Sequence, residues 1–500
     1  MNGRDLVHDG AARAGVVSSV ITCIGLALPI TAQCATSWSG SPPPNLIGTS
    51  YATCTWDPDG SGPLPSRLVA AYYVPAPPFQ VRQAIVALDT ATLAWSTLAA
   101  SESATIFCML PMPNGDLLVG GNFGFVSGAV DLARFDGTSW SQFATATDGT
   151  VFALARLSNG DIVVGGDFNA MVPSWLPARN LARWDGTTWH ELAMPASVFG
   201  NTSVQALAVL PNGDLVVSTT TTTEFVVRWD GAAWHSMGAG LNGSVRCLTV
   251  LPDGSVFAGG QFTGSGSVPL QYMARFDGTA WQPFGGGAQS WVSTSTLLPN
   301  GDLLVGGIFT SIGGVAAQSI ARWDGTTWWP VGPGLAHVRS VSVAPGGRIL
   351  AGSNSGVVSA ASPCAPTVAS VPTACVGPAG PVTLAAETYP WLGATFVSRA
   401  NGFTSPSLAV AILGFASVNV PLSAIHPAGL PNCDVLASPD LLALALPVAG
   451  SAPYSIPLPN AASLLGLQLF HQFAQVALDP QGAIVSLSSS NALILTLGDY

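Results

Sequence analysis

The feature that most limits how this chain can fold is a motif that returns five times, Ala/Val-Arg-aromatic-Asp-Gly-x-x-Trp. It occupies Ala133–Trp140, Ala182–Trp189, Val227–Trp234, Ala274–Trp281 and Ala321–Trp328. Its aspartates, Asp136, Asp185, Asp230, Asp277 and Asp324, stand 49, 45, 47 and 47 residues apart. A second motif precedes each copy. It consists of alternating apolar residues, a turn such as Pro113-Asn114-Gly115-Asp116, a short apolar run, then a small pair such as Gly120-Gly121. Asn-Gly closes a tight hairpin because both turn positions take up positive φ at low cost. Asp-Gly does the same between a third and a fourth strand, and sets the aromatic before it opposite the Trp after it. Each unit therefore reads as four antiparallel strands, and four strands every ~40–50 residues is the period of a propeller blade.

Two degenerate units extend the array. Asp57–Gly60, Arg67–Ala71 and Leu88–Trp95 make a first blade, and Val341–Gly352 supplies one more hairpin around Pro345-Gly346-Gly347. That last hairpin lacks its Asp-Gly-Trp half, and Ala35–Ser39, with Trp38, resembles the missing outer strand. The expectation is a seven-bladed ring closed by an N-terminal strand, with six blades as the alternative. Residues 363–500 lack the repeat, and their alternating runs, broken by Pro and Gly, read as a β-sandwich. Composition agrees with an all-β chain, since Gly 56 and Pro 39 are abundant while Glu is scarce. The expected organisation is a signal peptide over 1–34, a β-propeller over 35–362 and a C-terminal β-sandwich domain over 363–500.

Arg4 and Arg13 precede an apolar run from Val16 to Ala32 with small residues near its end, the pattern of an export signal. The expected location is extracellular or in the cell envelope, with no membrane span after signal cleavage. The formal net charge is −11, and all 15 basic residues are arginine. That balance speaks against a nucleic-acid partner, which requires a basic surface. Lacking lysine, the chain has neither a P-loop lysine nor a Schiff-base lysine.

The glycine pairs Gly120-Gly121, Gly165-Gly166, Gly259-Gly260 and Gly306-Gly307, together with the Asp-Gly-x-x-Trp hairpins, resemble those of kelch-like propellers in secreted bacterial repeat proteins. The resemblance covers roughly residues 35–362. Ser218-Thr219 and Ala70-Ala71 depart from it where a glycine pair is expected. It implies a fold and no single activity, because propellers host enzymes and binding modules alike.

The repeated aspartates read as turn formers rather than metal ligands. Arg134, Arg183, Arg228, Arg275 and Arg322 recur at one blade position and read as partners of neighbouring aspartates or hairpin aromatics. The histidines do not cluster, no nucleophile elbow stands between a strand and a helix, and no catalytic, metal or cofactor site is expected. Cys108 and Cys247 share a small slot with Ala153 and Ala206 six residues before the turn, which predicts buried free thiols on the innermost strand. Of the later cysteines, Cys375 and Cys433 are the expected bridge.

Strand alternation puts the Asn-Gly and Asp-Gly turns on one face and the links after each glycine pair on the other. These links differ from blade to blade, as loops of a binding surface do. Phe123, Phe168, Phe262 and Phe309 recur in them as core plugs, and the polar residues just before, Asn122, Asp167 and Gln261, are the expected ligand contacts. The expected function is a non-catalytic scaffold for a protein or glycan partner. The alternative is a hydrolase or lyase acting on extracellular polysaccharide at the channel mouth. Acidic or His side chains clustered there favour the enzyme, and an apolar or Gly-lined mouth favours the scaffold.

Overall fold

The computed structural model describes residues 37–39, 48–60, 64–76, 80–101, 104–123, 130–172, 175–194, 202–220, 225–362 and 364–500. The expected export signal over 1–34 lies outside them. Among the described residues there are seven four-stranded antiparallel sheets, each in the order inner, second, third, outer strand. Their inner strands are Ser50–Trp56, Ala104–Pro111, Thr150–Arg156, Val204–Val209, Val245–Val250, Val292–Leu297 and Val338–Val343. Each inner strand touches the next, and the seventh touches the first. Side-chain bonds join some of them sideways: Thr55 Oγ1 donates to the Val343 carbonyl at 2.8 Å, and the Thr249 and Ser295 hydroxyls lie 2.7 Å apart. Sheets arranged radially around a circuit of inner strands are the architecture of a β-propeller.

The Asn-Gly and Asp-Gly turns close the expected hairpins, but only the glycine takes positive φ (Gly115 89°, Gly137 93°) and the Asn or Asp before it does not, against the expectation of two positive-φ positions. In four of the five full copies the aromatic before Asp-Gly meets the Trp after it, with ring centroids 4.8–5.3 Å apart. The indole then reaches back to the preceding sheet. Trp140, Trp281 and Trp328 donate to the carbonyls of Leu98, Met237 and Gly285 at 3.1, 3.0 and 2.8 Å. These three outer-strand Trp side chains thus fasten one sheet to its neighbour. The phenylalanines Phe123, Phe168, Phe262 and Phe309 are fully buried plugs beneath the loops that follow the glycine pairs.

The seventh sheet is completed from far along the chain. Its third strand, Gly356–Ala361, is present beside the hairpin, so only the outer strand is missing there. Ser37–Ser39 fills that place, with Trp38 opposite Ala360. The Trp38 indole lies against Gly332 as the Trp328 indole lies against Gly285.

The glycine pairs have a steric origin. In every one of the seven sheets the inner strand carries one extra residue relative to its neighbour, a β-bulge near its start. A Cβ on Gly121, Gly166, Gly260 or Gly307 would come closer than 3 Å to a carbonyl oxygen just before that bulge. A Cβ on Gly120, Gly165, Gly259 or Gly306 would strike the first valine of the next sheet's inner strand, Val151, Val204, Val292 or Val338. Where Ser218 replaces the first glycine, its hydroxyl accepts from the Ala206 N–H at 2.8 Å and donates to the Val245 carbonyl at 3.2 Å.

Residues beyond the seventh sheet form a five-stranded sheet and a three-stranded sheet that share one apolar core, including Leu384, Phe396, Ile456, Phe473 and Leu495. Cys375 and Cys433 are bridged. This segment packs on the turn face of the propeller. Trp391 donates to the Pro345 carbonyl at 3.2 Å and stacks on Tyr500 at 4.3 Å, and Asp499 lies 3.6 Å from Arg322.

Two outcomes follow for stability. Deleting residues 35–45, or replacing Trp38 by Ala, leaves the seventh sheet with an open edge and an empty indole seat. The Trp38→Ala change is expected to cost about 3 kcal/mol, read as a lower unfolding midpoint; an unchanged midpoint in both variants refutes closure by this strand. Gly307→Ala forces a Cβ onto the Trp291 carbonyl and is expected to destabilise by about 1–3 kcal/mol in denaturant titration.

Candidate functional site

A bulge leaves its extra residue outside the ladder and bends the strand locally. The seven bulged residues are Tyr51, Phe107, Phe152, Gln205, Arg246, Ser293 and Arg339. All seven line one recess of about 460 Å³ at the loop-face end of the central channel. Cys108, Cys247, Gln261, Trp291 and His337 also contribute to its wall. A volume of this size lies within the ~300–1,000 Å³ usual for ligand pockets.

The recess has two unlike halves. On the first three sheets it is aromatic: Tyr51 and Phe107 meet edge to face at 5.5 Å, as do Phe107 and Phe152 at 5.0 Å. On the last four sheets it is polar and cationic. Arg246 donates to Gln205 Oε1 at 3.1 Å, and Arg339 Nε donates to Asn354 Oδ1 at 2.6 Å. The Arg339 guanidinium also lies over the Tyr51 ring, 4.9 Å from its centroid, and so joins the two halves. Ser293 Oγ lies 3.1 Å from His337 Nε2. Trp291, 44% exposed, stands at the rim.

Two arginines in one recess, with no carboxylate among the described residues that line it, set the electrostatics. Enclosure by the channel wall pushes the Arg246 pKa down, and the charge on Arg339 adds to this. His337 is pushed down to about 4, first by burial and then by the charges on Arg339 and Arg246. It is therefore neutral at physiological pH, available as a hydrogen-bonding group rather than a third cation.

The other arginines are differently placed. Each third-strand arginine of the five full repeats pairs with the aspartate of the first turn of its own sheet: Arg134 with Asp116 and Arg183 with Asp161, both at 2.6 Å, and Arg322 with Asp302 at 3.0 Å. Arg228 pairs with Asp214 in the same way, and Arg275 with Asp253 at the turn's first position. The Asp-Gly aspartates accept backbone N–H groups of the two residues closing their turns, as Asp136 does from Thr138 and Ser139. Those bonds hold the Asp136 carboxyl well below its ordinary range. The repeated charges are thus consumed by turn structure.

Of the three residues expected to contact a ligand, Gln261 lines the recess. Asn122 and Asp167 are exposed at the same end of their strands but do not line it, and Asn122 donates to Thr150 Oγ1 at 3.0 Å. Cys108 and Cys247 are unbonded, Cys247 buried and Cys108 half-buried rather than fully buried as expected. Burial pushes both thiols up. A larger cleft of about 880 Å³ runs along the contact with the C-terminal segment, lined by turn residues such as Asn300 and Asp324 and by Glu387 and Thr388.

The state of His337 is measurable. Its imidazole signals are expected to titrate near pH 4 by NMR, and Arg339→Gln should raise that midpoint by removing a neighbouring charge. Because the folded-state value lies below the ordinary 6.5, the stability associated with neutral His337 is complete above about pH 6.5 and is lost as pH falls toward 4.

No protein-family model matches the sequence, and no curated protein does. Among solved structures the chain is similar to a streptogramin B lyase, at 10% identity and a TM-score of 0.44, over 65% of this chain and 96% of that one. It is similar to YCF48 bound to D1 peptide, at 13% identity and a TM-score of 0.42, over 65% and 99% of the two chains. It is also similar to the extracellular domain of a hybrid two-component system of B. thetaiotaomicron, at 11% identity and a TM-score of 0.44, over 91% of this chain and 55% of that one.

Proposed function

We propose that this chain is an exported, non-catalytic propeller scaffold of the kelch-like kind, with its seven sheets as the blades of one ring. In this reading it binds a glycan or protein partner at the loop-face mouth of its channel. The observation that carries the reading is the difference between the two faces. The turn face is occupied in part by the chain's own C-terminal segment, through Trp391, Tyr500 and Asp499. The loop face keeps a recess whose seven bulged residues change from sheet to sheet while the scaffold around them repeats. Constant framework with variable side chains at one end is the layout of a recognition surface. Gln261 and Trp291 sit in its wall and at its rim, and Asn122 and Asp167 flank it as outer contacts for an extended partner.

Among the described residues no Asp or Glu lines the recess. The described lining therefore does not supply the paired carboxylates that cleave glycosidic bonds in most hydrolases, and binding is the reading we favour over hydrolysis. The test is a glycan and peptide array probed with the full chain, followed by affinity measurement on the hits. The double variant Gln261→Ala, Trp291→Ala is expected to weaken the hit at least tenfold, whereas Arg275→Gln on the turn face leaves it unchanged. Full affinity in the double variant overturns the loop-face assignment.

A further inference from the structure

We infer that the recess is a site for an acidic saccharide, with a uronate carboxylate held between Arg246 and Arg339. The inference rests on the loop-face reading above and specifies its ligand class.

The starting point is charge placement. In a chain of net charge −11, all five repeat arginines are paired with turn aspartates of their own sheets. Among the described residues Arg246 and Arg339 form no ion pair, although both project into one recess from sheets separated only by the sheet of Ser293. Burial lowers the Arg246 pKa and the like charge on Arg339 adds to that, while both charges add to the effect of burial on His337. Such an arrangement is unfavourable in the empty protein and is relieved by an anion between them. Each guanidinium is also held ready: Gln205 fixes Arg246, while Asn354 and the Tyr51 ring fix Arg339. All three partners are neutral, so the positive charge remains. Each guanidinium has five N–H donors, and the bonds described use one on each, leaving donors for a fork-like grip on a carboxylate.

The surroundings of the pair narrow the class. Ser293, neutral His337, Gln205 and Gln261 present small neutral donors and acceptors on the same wall. These suit a ligand dense in hydroxyl groups. Across the recess stand Tyr51, Phe107 and Phe152, with Trp291 exposed at the rim. Aromatic faces suit the apolar C–H face of a pyranose ring. A uronate presents a carboxylate, hydroxyls and that C–H face within one ring. An acidic peptide side chain presents only the first.

The test is calorimetry with the full chain against oligosaccharides of galacturonate, glucuronate and mannuronate. A methyl-esterified galacturonate oligomer, a neutral maltotetraose, tetraglutamate and sodium sulfate serve as comparison ligands. At least one uronate oligomer is expected to bind, more weakly as salt rises. If galacturonate binds, esterification is expected to reduce affinity at least tenfold. Arg246→Gln and Arg339→Gln are each expected to weaken the uronate about tenfold or more, with Arg275→Gln as a charge-matched control that changes nothing. Should Arg339→Gln disturb folding through loss of its Tyr51 contact, Arg246→Gln, whose side chain is exposed, decides alone. Equal binding of acid and ester, or full affinity in Arg246→Gln, overturns the arginine assignment while leaving loop-face binding intact. Equal or tighter binding of tetraglutamate or sulfate overturns the saccharide assignment. If none of the three uronates binds, the inference falls, and the broader reading is judged separately by the array.

Discussion

One extra residue on each inner strand controls both the packing of this ring and the chemistry of its mouth. In four of the seven sheets the carbonyl before the bulge lies so close to the second strand that a Cβ there has no room and glycine occupies the position, whereas Tyr72, Thr219 and Ser353 stand there in the other three. The adjoining glycine lets the next sheet's valine lie directly on the backbone, which brings neighbouring sheets together. The same local event turns one side chain per sheet out of the ladder and into the channel. Spacing between sheets and composition of the recess are thus two results of one backbone irregularity.

The ring also separates its charges by face. On the turn face, carboxylates and arginines are paired within single sheets and fix turn geometry. The docked C-terminal segment deepens this where Asp302 is buried between Arg322 and Asp499, and burial outweighs the arginine's attraction enough to push the Asp302 carboxyl up to about 6. In the loop-face recess, two arginines stand without acids among the described lining residues and a histidine stays neutral beside them. Local placement therefore runs opposite to the overall negative charge, and net charge alone is a poor guide to what this channel attracts.

Much of the fold could be read from residue order because its determinants are local. Asn-Gly, Asp-Gly and the paired aromatics each act within a few residues, and their recurrence specified strand number and order. The Trp38 closure was readable for the same reason, as a copy of a local motif. The third strand Gly356–Ala361 was missed because it carries no Asp-Gly turn to announce it. The mouth was missed for a different cause. The slot occupied by Cys108 and Cys247 stood out by its small size, yet the informative position is its immediate predecessor, seven residues before the turn. Its occupants are Tyr, Phe, Phe, Gln, Arg, Ser and Arg, and a position outside the ladder has no preferred residue type to betray it. The arginines that did stand out by recurrence, such as Arg134 and Arg322, are those whose charge is spent on turns. Of the residues chosen because they follow the second strand's glycine pair, Gln261 lines the recess, whereas Asn122 and Asp167 lie outside it.

The strand Ser37–Ser39 has a consequence for the order of folding. Every other ladder in the ring joins segments that neighbour one another in sequence, so six sheets can form from short-range contacts as the chain emerges. The pairing of Trp38 with Ala360 spans 322 residues and cannot begin until the last of those sheets exists. A segment synthesised 322 residues earlier must therefore wait unpaired, while Gly356–Ala361 arrives with an open edge. Ring closure is expected to be the slow, late event for this molecule, and the interval before it is when two copies of the chain could exchange their closing strands.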